Sequence, residues 1–464
     1  SIIRIILSAY LCFNMFMFPL FDAYGQNIVV DPSSNGTNVT SSNGVDQINI
    51  AAPNANGLSH NKFTDYNVNE KGVIINNSNF QNYDPHGKSE LSDGHVEFNK
   101  NLGATGDSDK VILNEVTGNS MSELRGITEI YGAQADFILA NPNGITCAGC
   151  GFINTSKLSL ITGTPNFDGI ELKDFSISNV GIIRIEGQPD QRFAMQTGNS
   201  ALLASRAVEI AGAINVETDM TILTGDDKYN YQTGEMTSKA STNGNNIKVA
   251  VDAYALGAMT AGSIRIQATQ KGFGINTPDN LLATTGDLEI TADGNITFKN
   301  IDAKQDVKIT SNHGITSRAS AESYADGNIT LSADRVHFQT DVSNSNSANW
   351  LLNEMSSAGD IKITARNIQN DASSTVTAGR ELALYVDNRV LNAGRLRSQE
   401  DITVRADFID NYGQFMSLGD SSFTAKKDVI NYYGAGVLSG ENLQFNTGRN
   451  FINYRAEVFA IGDI

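Results

Sequence analysis

The 464-residue sequence is poor in proline, tryptophan, cysteine and basic residues, with 8, 1, 3 and 33 of them. Three cysteines are too few for a small scaffold held together by disulfides. Acidic residues number 51 and give a formal net charge of −18, which argues against a nucleic acid or an anionic membrane as the main partner. Charged residues make up only 18% of the chain, too few for helices laced with ion pairs. A hydrophobic share of 40% excludes a disordered chain.

The first 25 residues have the pattern of an export signal. A single basic residue precedes an apolar run from Ile5 to Phe21, and small residues follow it just before Gln26. The alternative, a retained membrane anchor, is disfavoured because the run is short and interrupted by polar residues. We therefore predict a signal peptide at residues 1–25, cleavage before Gln26 and export by the Sec machinery.

From about residue 280 the sequence becomes periodic. A polar or glycine turn precedes an alternating strand at spacings of about 20 residues, with one longer gap. Residues 343–357 fill that gap, and we expect them to leave the repeat as a loop or hairpin carrying Trp350. The predicted centres of the first strand in each repeat are Leu288, Val307, Ile329, Ile361, Leu382, Ile402, Phe423 and Leu443.

Two further strands follow in each repeat. Turns such as Asn392-Ala393-Gly394 and Asn411-Tyr412-Gly413 separate them, and we expect Asn or Gly there to adopt a positive φ. The predicted centres are Ile368, Val390, Ile409, Ile430 and Phe451 for the second strand, and Leu396, Phe415 and Val437 for the third.

Three short strands per repeat predict the fold class. Such strands cannot pair within one repeat but can pair in parallel with the next repeat. The prediction is an all-β protein, a right-handed parallel β-helix (a single-stranded solenoid) with small extra-helical hairpins. An antiparallel array is the alternative, and it does not explain the constant repeat length.

The first coil of such a solenoid requires protection. Its outer sheet edge is unpaired and would invite aggregation, so we predict an N-terminal cap from the region before residue 280, which shows no clear period. Residues 27–56 are polar and rich in Asn, Ser and Gly. We expect them to form a mobile entry segment or loosely paired first strands.

The region before residue 280 contains motifs of a known family. Residues 54–77 include GLSHNKF and GVIINN, and residues 111–163 include VILNEVTG, EIYGAQADFILANPNGITC and GFINT in that order. These motifs closely resemble the two-partner secretion domain of filamentous haemagglutinin-like exoproteins. Residues 252–276 are similar to the C-terminal portion of that domain.

The resemblance implies three segments and a partner. They are the signal peptide, a secretion (haemagglutination activity) domain at residues 26–280, and β-helical repeats of a filamentous stem at residues 281–464. In this family an outer-membrane β-barrel transporter with periplasmic domains recognises the secretion domain and exports the chain. The protein is therefore expected to pass through the periplasm and to be secreted or held at the bacterial cell surface.

The family motif falls on Asn141-Pro142-Asn143-Gly144-Ile145. Asn before Pro favours an extended or turn conformation, and Asn143-Gly144 can supply the positive φ of a tight turn between two apolar runs. A turn that only nucleates folding would have the same sequence as one that contacts the transporter. We therefore expect a mixed role for the motif.

The pair Cys147 and Cys150 allows three interpretations. A zinc site would need two further ligands, and no second CxxC or HxxxH is present. A thioredoxin-like redox pair would need a strand-to-helix context. The preferred interpretation is a short structural disulfide formed after export, similar to the paired cysteines of the haemolysin and contact-dependent inhibition branches of the family.

The sequence shows little that predicts catalysis. The five histidines are scattered, and no GxSxG or complete nucleotide-binding loop is present, so we predict no enzyme activity, cofactor or metal. His60 is expected to pack or hydrogen-bond. Recurring aspartates in the repeat are interpreted as solvated turn residues, with calcium binding as the less favoured alternative. They are Asp287, Asp306, Asp360 and Asp401.

Three functional classes share this export mechanism. The first is an adhesin whose stem reaches a receptor on a host or neighbouring cell. The second is the N-terminal delivery portion of a contact-dependent inhibition toxin or haemolysin. The third, a β-helical polysaccharide-active enzyme, is least favoured because no acid pair is marked out by the sequence.

Overall fold

The computed structural model describes residues 28–103, 110–187, 193–239, 249–253, 257–341 and 352–464. The predicted signal peptide lies outside these ranges. Within them, the regular structure is strand apart from one 3₁₀ helix, Lys100–Leu102. None of the described residues belongs to a helix that could cross a bilayer.

The strands are short and follow one another in close succession. The first group is β1 (Ile28–Val30), β2 (Asn38–Ser42), β3 (Val45–Asn49), β4 (Leu58–Tyr66), β5 (Val73–Asn77), β6 (Val111–Val116), β7 (Ser122–Leu124), β8 (Ile127–Gly132), β9 (Ala135–Ala140), β10 (Ile145–Cys147), β11 (Cys150–Ile153), β12 (Thr155–Ile161), β13 (Gly163–Asp168), β14 (Glu171–Ile177) and β15 (Ile183–Ile185). The second group is β16 (Met195–Thr197), β17 (Ser200–Ser205), β18 (Val208–Ile210), β19 (Ala213–Val216), β20 (Asp219–Thr224), β21 (Lys228–Asn230), β22 (Val249–Ala253), β23 (Ala258–Ala261), β24 (Ser263–Ala268), β25 (Gly274–Asn276), β26 (Asn280–Ala283), β27 (Leu288–Ala292), β28 (Ile296–Phe298), β29 (Asn300–Ala303) and β30 (Val307–Ser311). The third group is β31 (Gly314–Ser317), β32 (Glu322–Ala325), β33 (Ile329–Phe338), β34 (Asn353–Ser357), β35 (Ile361–Asn370), β36 (Ser374–Ala378), β37 (Leu382–Asn392), β38 (Arg395–Ser398), β39 (Ile402–Asn411), β40 (Gln414–Ser417), β41 (Ser421–Asn431), β42 (Gly436–Ser439), β43 (Leu443–Thr447), β44 (Asn450–Asn453) and β45 (Glu457–Ala460).

Parallel pairing arranges most of these strands in three ladders, one for each face of the molecule. The first ladder begins with β4, β6 and β9 and ends with β41 and β43, which gives a solenoid of about 15 turns. The second runs from β7 and β10 to β44, and the third from β3 and β5 to β45. The chain is therefore an all-β parallel β-helix, and the predicted fold class is confirmed.

Most predicted strand centres occupy equivalent places in the ladders. Leu288 pairs with Val307, and Val307 pairs with Ile329. Two centres near the end are wrong. The partner of Ile402 is Ser421, not Phe423, because a small polar residue occupies that inward position. Likewise Val429, and not Ile430, pairs with Ile409, since β41 contains one extra residue at a bulge opposite β39.

The N-terminal cap is also confirmed. Strand β1 lies antiparallel on β4, with Ile28 opposite Tyr66, and β2 forms an antiparallel hairpin with β3. Both strands pair along the edge of the first coil, so this part of the chain is not an unpaired entry segment. The parallel winding begins with β3 and β4, although the sequence before residue 280 showed no clear period. The pairing of β24 with β27 crosses residue 280 without interruption.

One extra-helical hairpin projects from the N-terminal half. Strands β13 and β14 are antiparallel, and β21 adds a third strand beside β14. The hairpin covers a second apolar cluster on the outside of the first ladder, where Phe175 and Tyr229 pack on Ile138 and Leu113.

Within the predicted insertion at residues 343–357, the prediction is wrong for the last five residues, because β34 is a regular member of the third ladder. Trp350 lies outside the described residues.

The turn asparagines of the C-terminal coils form a buried ladder instead of adopting positive φ. The Nδ2 group of Asn392 donates to Oδ1 of Asn411 at 2.9 Å, and Nδ2 of Asn411 donates to Oδ1 of Asn431 at 2.8 Å. Asn370 and Asn453 continue the same chain of amides at the two ends. Each amide thus links its coil to the next one, in an interior where unpaired polar groups are costly.

Candidate secretion motif

The motif Asn141–Ile145 forms the corner between β9 and β10. Asn141 and Ile145 are completely buried, whereas Pro142 and Asn143 are half-buried. Gly144 has a φ of +123°, a conformation that side-chain-bearing residues rarely adopt. The sequence-predicted turn is therefore present, with its middle residues at the surface and its ends fixed in the core.

The side chain of Asn141 ties this corner to the preceding coil. Its Nδ2 group donates to the backbone oxygen of Ser120 at 3.0 Å and to Oγ of Ser122 at 2.9 Å. Its Oδ1 atom accepts from the backbone N–H of Asn143 at 2.9 Å and from Nδ2 of Asn143 at 3.0 Å. The Asn141 amide thus donates through its nitrogen and accepts through its oxygen, and these bonds together fix the orientation of the side chain.

Asn143 adds a second tie to the same neighbouring turn. Its Nδ2 group donates to the backbone oxygen of Gly118 at 2.8 Å. The backbone contributes as well, since the N–H of Ser122 donates to the oxygen of Gly144 at 3.0 Å. We call these contacts of Asn141 and Asn143 with residues 118–122 the amide clamp.

The following coil packs on the opposite side of the motif. The N–H of Ile145 donates to the oxygen of Ile182 at 3.1 Å. A Cβ atom at Gly181 would lie 2.3 Å from the oxygen of Pro142, so only glycine allows this approach. Beside this contact Val180 is 80% exposed. The motif is therefore enclosed between two turns, and Pro142, Asn143 and Val180 form its accessible edge.

Cys147 and Cys150 lie directly after the motif, at the end of β10 and the start of β11. The structure pairs them, with Cα atoms 5.4 Å apart, and both are buried in the main core. Among the described residues no group of three or more His, Cys, Asp or Glu side chains could hold a metal ion.

The recurring aspartates accept hydrogen bonds from the next coil. Oδ1 of Asp287 accepts from the N–H of Asp306 at 2.9 Å, and Oδ1 of Asp306 accepts from the N–H of Asn328 at 2.7 Å. Asp360 and Asp401 make the same contact with their successors. Asp287, Asp306 and Asp401 are exposed and Asp360 is half-buried, so these turn residues are solvated as expected and in addition act as inter-coil acceptors.

His60 has the hydrogen-bonding and packing role expected of it. Its Nε2 atom lies 2.7 Å from Oε2 of Glu115, and its ring stacks on Phe167 of the extra-helical hairpin at a centroid distance of 5.0 Å. It is remote in the fold from His337, which contacts Asp371 on a later coil. The structure therefore does not bring these histidines together.

Sequence reasoning missed the partners of the motif. No sequence pattern links Asn141 to its neighbours Ser120, Ser122, Val180 and Gly181. These contacts depend on which coils lie above and below the motif. The asparagine ladder did carry a signal, since Asn recurs at about the repeat length.

Comparison with known proteins identifies the family. The family described as "TPS secretion domain" matches residues 26–298. The 16S rRNA endonuclease CdiA of Enterobacter cloacae is 33% identical over 406 residues, which cover 85% of this chain and 12% of that protein. The Hemolysin of Proteus mirabilis is 30% identical over 452 residues, covering 94% of this chain and 26% of that protein.

Two solved structures resemble the chain. The filamentous hemagglutinin secretion domain covers 77% of this chain and 97% of its own, with 24% identity and a TM-score of 0.48. The HMW1 secretion domain from Haemophilus influenzae covers 93% and 99%, with 13% identity and a TM-score of 0.37. On the family match over residues 26–298, the chain belongs to the TPS secretion domain family.

Proposed function

We propose that this chain is recognised by an outer-membrane two-partner secretion transporter, after Sec-dependent passage into the periplasm, and is exported to the cell surface or medium. The observation that carries this proposal is the family match over residues 26–298, which contains the Asn141–Ile145 corner. Periplasmic domains of the transporter are the partner that would meet the chain first.

The geometry supports a double role for the motif. The amide clamp joins two successive coils through buried and half-buried hydrogen bonds, which suits a turn that orders the first coils. Pro142 and Asn143 remain half-exposed beside Val180, which suits a contact with the transporter. Folding and recognition would then depend on the same corner but on different side chains.

The folding role is tested by Asn141→Ala in a strain that contains the cognate transporter. Loss of the amide removes the donor to Oγ of the buried Ser122 and one of the two donors to the oxygen of Ser120, so we expect the chain to accumulate in the periplasm. Asn215→Ala is the matched control, because Asn215 lies half-buried on β19 outside the motif. Unimpaired secretion of the Asn141 variant would remove the motif from the transport mechanism.

The recognition role is tested by Val180→Asp. Val180 is 80% exposed, so this change should leave the melting temperature unchanged. We expect weaker binding to the purified periplasmic domains of the transporter and reduced secretion. Wild-type binding by this variant would place recognition elsewhere on the domain.

The names of the relatives bear on the cargo that the exported protein would deliver. The chain spans only 12% and 26% of the CdiA and Hemolysin relatives that it matches, and their names indicate a nuclease toxin and a haemolysin. These names favour delivery of a toxin or haemolysin, with an adhesive stem that contacts a host or target-cell receptor as the alternative. Cells that secrete the protein should inhibit or lyse neighbouring cells in the first case and only adhere in the second.

A further inference from the structure

A polar cleft lies on the outside of the N-terminal cap. It has a volume of about 390 Å³, within the range of about 300–1,000 Å³ typical of small-molecule sites. One wall is the hairpin of β2 and β3, and the other is the segment around Phe98 and Lys100. Neither the motif nor the disulfide contributes to its lining.

The hairpin wall of the cleft carries a set of amides that fix one another. Oδ1 of Asn49 accepts from Nε2 of Gln47 and from Nδ2 of Asn76, both at 2.9 Å. Nδ2 of Asn49 donates to Oδ1 of Asn38 at 3.0 Å and to Oγ1 of Thr40 at 3.2 Å. These bonds orient each amide before any ligand arrives, which lowers the entropic cost of binding.

The segment opposite the hairpin is held just as firmly. Nδ2 of Asn101 donates to the backbone oxygen of Gly36 at 2.8 Å and to that of Ile50 at 3.0 Å. The half-buried Phe98 packs edge-on against Phe80 and Tyr83, at centroid distances of 5.6 and 5.5 Å. Hydrogen bonds and aromatic contacts therefore hold both walls of the cleft in place before a ligand binds.

Several polar atoms of the cleft have no partner among the described residues. They are Oε1 of Gln47, the hydroxyl hydrogen of Thr40 and Nζ of Lys100, each lining the cleft. Asn49 already joins Thr40 and Gln47, so an acceptor and a donor lie close together on one face of the hairpin. Such neighbouring groups suit a ligand whose adjacent hydroxyls both donate and accept.

The charge and the aromatic lining narrow the ligand class further. Lys100 and Glu97 carry opposite charges in the lining, so the cleft favours neither anions nor cations. The Phe98 ring offers an apolar surface with a negative face, which can receive the polarised C–H groups of a sugar ring. We propose that this cleft binds a neutral oligosaccharide, a property separate from recognition by the transporter.

The proposal is tested with the secreted protein on an array of neutral oligosaccharides. One set carries host-type sugars and the other carries fragments of bacterial surface polysaccharide, so the bound set identifies the source. Sialylated and sulfated sugars serve as charged comparators. We expect wild-type protein to bind at least one neutral sugar more tightly than its charged counterpart. Preference for charged sugars, or absence of binding, would overturn the proposal.

Variants locate the binding on the molecule. Thr40→Trp should fill the cleft and weaken binding at least about tenfold, since Thr40 is exposed and lines it. Thr403→Trp is the matched control on β39, far along the solenoid, and should bind as wild type. Lys100→Ala, at an exposed position, gives a second variant that preserves the fold and should weaken binding several-fold. Wild-type binding by both cleft variants, or capture of a peptide in place of sugar, would contradict the assignment.

Discussion

The coils before and after residue 280 share one pattern of parallel pairing but are held at their corners by different devices. In the C-terminal coils the same residue type recurs, so that Asn392, Asn411 and Asn431 link through their side-chain amides. In the N-terminal coils the corner at residues 141–145 is held by the amide clamp of Asn141 and Asn143, which contacts serine and glycine rather than further asparagines of neighbouring coils. Repetition favours propagation of coils, whereas unique contacts define where the first coils begin and in which register.

The largest effect is expected from interrupting the asparagine ladder. Asn411→Ala leaves Oδ1 of Asn431 and the backbone oxygen of Gly436 without their donor, at a cost of about 1–3 kcal/mol for each buried group. Native-state hydrogen exchange should show β39–β42 opening at a free energy lower by about 2–6 kcal/mol. Asn453→Ala, at the exposed end of the same ladder, should change it by less than about 1 kcal/mol. Equal effects of the two changes would mean that the ladder does not stabilise the coils.

A smaller effect is expected where two backbones approach. A Cβ atom at Gly413 would lie 2.0 Å from the oxygen of Gly394, so Gly413→Ala should force the coils apart at a cost of about 1–3 kcal/mol. Gly436→Ala is the control, because its nearest neighbour would be a side-chain atom 3.5 Å away. Thermal melting should separate the two variants by several degrees. A stable Gly413 variant would show that the corners can move apart freely.

The two regions also differ in how far the sequence could predict them. The strand centres Leu396, Phe415 and Val437 fall in one register, because alternation and repeat length are local properties of the chain. For the turn residue Asn411 the sequence predicted a positive φ, whereas the structure shows its side chain linking successive coils. The sequence does not show whether a turn residue points inward.

At the motif, the sequence predicted the turn but not its contacts. The conformation of Gly144 follows from local turn chemistry. Ser122 and Gly181 are 19 or more residues from Asn141 along the chain, and they reach it only because of how many residues each coil contains. Insertions such as the β13–β14 hairpin change that number, so the partners could not be read from the repeat.

The disulfide is expected to stabilise the N-terminal region modestly. A loop as short as that between Cys147 and Cys150 removes about 2 kcal/mol of chain entropy from the unfolded state. The double variant Cys147→Ala and Cys150→Ala should therefore melt a few degrees lower, and the coils after residue 280 should be unaffected. Thiol labelling of denatured secreted protein should find neither cysteine free. Two reactive thiols would exclude the disulfide.

The smallest effect is expected at the attachment of β1. The carboxylate of Asp31 accepts hydrogen bonds from the hydroxyl of Thr117 and the N–H of Ser33, which lower its pKa from 3.8 to about 2. A depressed folded-state pKa stabilises this contact above about pH 4, and the stabilisation is lost as the pH falls towards 2. NMR titration of the Asp31 carboxyl carbon should show a midpoint near 2.

Thr117→Val provides the control for that titration, because it removes the hydroxyl donor and keeps the side-chain shape. The midpoint of Asp31 should then move up towards its ordinary value. An unshifted midpoint in this variant would show that Thr117 does not hold the carboxylate.

We expect the first coils to order around the amide clamp and to template those that follow. Pulse-labelling hydrogen exchange during refolding of the mature chain tests it most directly. Amides of β6–β12 should gain protection before those of β37–β44, and Asn141→Ala should delay both. Simultaneous protection along the solenoid, or protection that starts in the C-terminal coils, would contradict the claim.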